Sequence, residues 1–229
     1  GGVQEMTRLY HWSFDPAGRL VRLCLGEKGI AFESVDSAPW SPHPDVSRLA
    51  PGAVAPALVQ EGPAGHIIAI GTRAICEYLE EATDGDHLLP LHPGDRAEAR
   101  RLWAWVEAGF EQVTDNLLTE RVMQWVRRDR EPNSEKLRRG AHALRGRLTF
   151  LNAMVERNGF AAGRQLSLAD LAAAAHLSAV DYFGDVEWRA VPDLKEWYAR
   201  IKSRPSFRPL LADRLEAVRP SPHYANLDF

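Results

Sequence analysis

Apolar residues recur along this chain at two spacings, and the change comes near residue 83. Before it, short apolar runs of strand length alternate with helix-spaced segments. Residues 7–12 predict a strand. In 19–28, Leu20, Val21, Cys24 and Leu25 fall at the helical period, with Gly29 as a stop. Residues 30–35 predict a second strand, and Pro39, Pro42 and Pro44 mark a loop around Trp40. Runs 57–60 and 66–70 flank residues 61–65, where Gly62, Pro63 and Gly65 suit a hairpin turn. Thr72 is then placed to cap a helix with Ile75, Tyr78 and Leu79 on one face. The expected order is β-α-β, a β-hairpin and a closing helix.

Residues 83–95 lack periodicity, carry Pro90 and Pro93, and read as a linker between a domain at 6–82 and one at 96–215. The second domain is helical throughout. Residues 97–128 predict a long helix or a kinked pair, striped by Leu102, Val106, Val113 and Leu117. Pro132 ends it and Asn133–Ser134 cap the next helix, where Leu137, Ala141, Leu144, Leu148, Leu151 and Val155 form one buried seam. The alanine-rich 167–182 suits the centre of a bundle. Helices at 192–203 and 205–215, each opened by proline, complete it, and 216–229 form a tail.

Composition narrows the function classes. A chain of 229 residues, 45% hydrophobic and 26% charged, suits two globular domains. Net charge −3 argues against a general nucleic-acid binder. Cys24 and Cys76 form no C-x-x-C and read as buried, reduced thiols. No apolar run reaches membrane-span length, so membrane insertion is not expected, nor is a signal peptide read; residues 1–5 are assigned no role. The eight histidines show no metal-ligand spacing, and no metal is expected. His176 reads as a packed or hydrogen-bonded histidine, and the carboxylates in 181–187 as a solvated loop rather than an acid/base pair.

Three local patterns point to one architecture. Ala55-Pro56-Ala57-Leu58 resembles the cis-proline segment of thioredoxin-like folds. Thr72-Arg73-Ala74-Ile75 resembles the glutathione transferase helix in which a hydroxyl residue meets the glutamyl carboxylate, at an end where free amides favour an anion. Gly163, Ser167 and Asp170 match the spacing of the capping motif in the transferase helical domain. The resemblance implies an α+β thioredoxin-like N-terminal domain followed by an all-α bundle, the glutathione transferase architecture.

Members of that family activate a thiol through a Ser, Tyr or Cys near the start of the first helix. Here that loop places Asp15 and Gly18 where the family often carries serines, leaving Ser13 or Tyr10 as substitutes. Gly71 stands where an acidic residue is common, and Ala50 replaces a common asparagine. The pocket formed by Ser13, Ala55, Pro56 and Thr72 therefore reads as vestigial. No catalytic residue is assigned, and glutathione is possible but not expected as a cofactor.

The segments at 167–178, 181–188 and 197–214 and the tail 223–229 closely resemble the transferase-like cell-division proteins of alphaproteobacteria. That resemblance implies a homodimeric, non-catalytic adaptor in the cytoplasm at the division site. It would bind polymers of the tubulin-like GTPase FtsZ, favour curved or bundled filaments, and couple the division ring to septal wall synthesis machinery through the tail. Carried over on it as partner-binding residues are Trp40, Glu120, Arg121, Met123, Tyr224, Asp228 and Phe229. The alternative is a glutathione-dependent transferase or lyase using the thioredoxin-like pocket.

Overall fold

The structure is a computed structural model that describes residues 5–63 and 65–229. Residues 1–4, and Ala64 of the expected hairpin turn, lie outside it. The chain divides into two compact units between Asp86 and His87.

The first unit contains β1 (Met6–His11), α1 (Pro16–Glu27), β2 (Glu33–Asp36), α2 (Pro44–Leu49), β3 (Ala57–Gly62), β4 (Gly65–Ile70) and α3 (Thr72–Ala82). The sheet order is β2-β1-β3-β4, with β1 and β2 parallel and the other pairs antiparallel. Helix α2 was not expected from the sequence, where its prolines signalled a loop. Pro44 instead opens the helix, where its fixed φ costs nothing, and His43 caps it by accepting from Asp45 N at 3.1 Å. The helix supplies Val46 to a cluster with Tyr10, Ala57 and Val59, so β1 is covered on both faces. A buried ion pair, Lys28 Nζ to Glu80 Oε1 at 2.6 Å, ties the region after α1 to α3. Cys24 and Cys76 are buried free thiols with their sulfurs 3.5 Å apart.

The second unit is helical. It contains α4 (Pro93–Val113), α5 (Thr119–Arg121), α6 (Ser134–Asn158), α7 (Leu168–Asp181), α8 (Pro192–Lys202) and α9 (Arg208–Ala212). A π-helical turn lies on each side of α5, at Thr114–Leu118 and Val122–Val126, so the expected long helix runs on through two local widenings. The residues of α7 are buried, as its alanines permit, His176 only a little less completely than the rest. Leu144, Leu148, Leu151 and Val155 line the buried face of α6, each leucine worth about 2 kcal/mol of burial. Ser167 accepts from Ala169 N at 3.2 Å, and Asp170 accepts from Ser167 N at 2.9 Å, completing the capping box. The other Asp170 oxygen takes Ala161 N and Trp197 Nε1, both at 2.8 Å, which fixes the residue as a structural cap. The helix expected at 205–215 is shorter: a 3₁₀ turn, Pro205–Phe207, leads into α9, which ends where Asp213 turns extended. Among the described residues, no helix is long and apolar enough to cross a membrane.

Candidate functional site

The site that the resemblance assigns to the thioredoxin-like pocket begins with the loop joining β1 to α1. Buried Arg19 donates from Nε to Ser13 O at 2.8 Å and lies over the Phe14 ring at 4.5 Å, which holds the loop in place. Asp15 is the N-cap of α1, and its carboxylate accepts from Ala17 N at 3.2 Å. The protein's own anion thus sits on the amides that would otherwise favour an incoming one. Burial pushes the Asp15 carboxyl up to about 6, with hydrogen bonds from the Ala17 and Gly18 amides opposing the rise. A Cβ on Gly18 would meet His11 Cβ at 3.1 Å, so close approach of α1 to β1 favours glycine there. Tyr10 is 3% exposed and donates to Asp45 Oδ2 at 3.2 Å, so its hydroxyl serves the core rather than the loop.

The far side of the pocket keeps more of the family pattern. The Ala55–Pro56 peptide bond is cis. Gly71 adopts φ +89°, a conformation that suits glycine and not an acidic side chain, and donates to Pro56 O at 2.9 Å. Gly71, not Thr72, is the N-cap of α3; Thr72 is the first helical residue, and no side chain caps this end. Its expected capping role is therefore corrected, and the first-turn amides of α3 are left to favour an anion.

Trp40 belongs to the first unit, half-buried, with its ring 5.0 Å from Trp12 in an edge-on arrangement. Trp12 was missed from sequence; it lies in the expected first strand, where a packed core residue is the ordinary reading.

The other sequence-assigned residues lie in the second unit. Glu120 is not a surface contact. Its side chain is fully buried, and its two oxygens accept from Arg130 at 2.6 and 2.7 Å and from Asn133 N at 2.9 Å, with Lys136 Nζ 3.8 Å away. These bonds, led by the Arg130 pair, hold its carboxyl down to about 2. A signal for this burial was present in the sequence, because Glu120 follows Val113 and Leu117 on one helical face. Arg121 turns the other way and pairs with Asp185 at 2.8 Å, while Met123 is half-buried.

Of the 181–187 carboxylates only Glu187 is exposed, so the expected solvated loop is corrected for Asp181 and Asp185. Asp181 is fully buried, accepts from Trp188 Nε1 at 2.9 Å, and lies 3.0 Å from His223 Nδ1, an ion pair when the histidine is protonated. The tail lies across this loop. Tyr224 is fully buried and donates to Leu210 O at 2.6 Å, while Ser221 bonds to the Tyr182 and Asp181 carbonyls. Phe229 sits edge-on to Trp188 and Tyr198, beneath the Lys202 ammonium at 4.0 Å. Lys202 also donates to His223 O at 2.8 Å, and burial lowers it to about 8 although Asp181 opposes the shift. Asp228 is exposed. The 181–188 loop therefore holds Arg121 through Asp185 and the tail through Asp181. His176 is packed on Phe110, its Nδ1 3.4 Å from Thr114 Oγ1, and burial lowers it to about 4.

The glutathione S-transferase N-terminal domain model matches residues 9–87, and the C-terminal domain model matches 115–205. The chain belongs to the glutathione S-transferase family. Within that family it is 42% identical over 222 residues to FtsZ-localized protein A of Caulobacter vibrioides (strain NA1000 / CB15N), covering 96% of this chain and 97% of that one. The solved structure of FzlA from C. crescentus superposes with a TM-score of 0.93 at 41% identity, over 98% of this chain and 100% of the other. A glutathione S-transferase from Rhodospirillum rubrum F11 gives 0.90 at 40% identity, with the same coverage. These likenesses bear out the transferase architecture read from the three sequence patterns.

Proposed function

We propose that this transferase-family chain is a cell-division adaptor: a homodimer at the division site that binds FtsZ polymers, favours curved or bundled filaments, and links the ring to septal wall synthesis through its tail. The observation that carries the reading is its likeness, over nearly its whole length, to a relative named for localisation with FtsZ. The pocket supports it, because a carboxylate caps α1 at the position the resemblance assigns to a thiol-activating hydroxyl. A negative charge there disfavours the thiolate that glutathione chemistry needs.

Co-sedimentation with polymerised FtsZ tests this directly. The full chain pellets with polymer and stays in the supernatant without it. Because Tyr224 is part of the core, the tail is probed by deleting only 225–229. Binding retained after deletion assigns the tail to another division partner, and binding lost makes it part of the filament site. A glutathione-dependent transferase is the second reading, favoured by the R. rubrum relative and by the open end of α3 beside Thr72.

A further inference from the structure

The backbone after the second π turn holds a conformation that its sequence disfavours. Arg128 has φ +54°, alone among the described non-glycine residues in being positive. It follows a helix end at which Asp129 N reaches back to Met123 O at 3.1 Å, a place that glycine fills with least strain. An arginine kept in such a conformation points to a use for its side chain. Arg128 is exposed, and among the described residues no hydrogen bond, ion pair or ring holds its guanidinium.

Its neighbours point the same way. Trp125 is 44% exposed on the widened turn. Residues 121–139 carry seven basic and three acidic side chains in a chain whose net charge is −3. Beneath them, Glu120, which precedes the turn, fixes Arg130 and Asn133, which follow it. We propose that Trp125, Arg127 and Arg128 form a docking surface for an acidic protein segment carrying an apolar residue, with Glu120 as the positioning residue that holds the turn beneath it. The indole anchors the apolar group, and the guanidiniums meet the carboxylates. Arg127 pairs with Asp129, and Glu131 follows, so the surface accepts a few charges and not a continuous polyphosphate. The inference rests on the division reading for the identity of the partner: the acidic segment is on the FtsZ polymer.

The test uses the full chain and three variants with two probes, polymerised FtsZ and a fluorescein-labelled peptide of alternating Glu and Leu, across a range of salt. Arg128→Gly relieves the backbone while removing the charge, so it melts no lower than the parent. It should bind both probes several-fold more weakly and with a shallower salt dependence. Trp125→Ala should weaken both about ten-fold. Glu120→Gln should lower affinity while keeping the parental salt slope, because the contacting charges are unchanged, and should speed amide exchange at 127–133. If the parent binds the peptide in this pattern but not the polymer, the surface stands and the division reading fails. Parental binding of both probes by Arg128→Gly and Trp125→Ala overturns the surface, as does a parent that binds neither. Random-sequence duplex DNA binding in place of the peptide, and lost in the same variants, overturns the choice of partner.

Discussion

Asp15 shows how one side chain both completes the fold and alters the pocket. A buried carboxyl raised to about 6 from 3.8 binds its proton more tightly folded than unfolded. Its contribution to stability therefore falls as pH rises from 3.8 through 6. Asp15→Asn keeps a capping oxygen without the buried charge, so at pH 7 its melting temperature should equal or exceed that of the parent. Asp15→Ala should fall below Asp15→Asn by about 1 kcal/mol of cap. Glu120 behaves oppositely. Its carboxyl is depressed to about 2 from 4.5, so its stabilisation is complete above 4.5 and is lost as pH falls toward 2. Glu120→Gln should cost about 2–4 kcal/mol at pH 7, less than a wholly buried pair because Arg130 reaches solvent. The urea midpoint of the variant should also lose the acid-side decline of the parent. The residue types at both positions were legible in the sequence. Their burial was less so, since a charge at the edge of an apolar stripe reads first as surface.

The regular helices and the sheet follow from periodicity and caps, and were read nearly to their ends. What escaped the sequence were elements with unusual local chemistry. Helix α2 was hidden because its opening proline also signals a loop. The π turns were hidden because a 3.6-residue period has no mark for one added residue. Gly140 hints at the first of them: a Cβ there would lie 2.7 Å from Leu117 Cγ, so α6 needs glycine where it passes the widened turn. The tail reads from sequence as a partner-binding extension, whereas Tyr224 and Phe229 are packed on the helical unit. Lys202 is its principal polar clamp. Lys202→Met keeps a side chain of similar length but neither donates to His223 O nor sets a cation over Phe229. Amides at 223–229 should then exchange at least about ten-fold faster, a local loss of order, while those of α7 stay protected.

At the scale of the whole molecule, the architecture was legible because three short patterns, at Pro56, Thr72 and Ser167–Asp170, are distributed across both units. Function was less legible, because it depends on which surface the family fold presents rather than on the fold itself. Asp15, Gly18 and Gly71 fit their positions for reasons of capping, packing and φ, and each removes something glutathione chemistry would use. The second unit instead offers an exposed Trp125 and an exposed Arg128 at positive φ beside a turn fixed by Glu120. On the proposed division role, function lies on that surface and not in the pocket. The most direct measurement is co-sedimentation of the full chain with polymerised FtsZ, comparing the parent, Ser13→Ala and Arg128→Gly. Parent and Ser13→Ala should pellet equally, and Arg128→Gly should pellet several-fold less at the same protein concentration. No pelleting of the parent, with glutathione-conjugating turnover that Ser13→Ala abolishes, would contradict the proposed role.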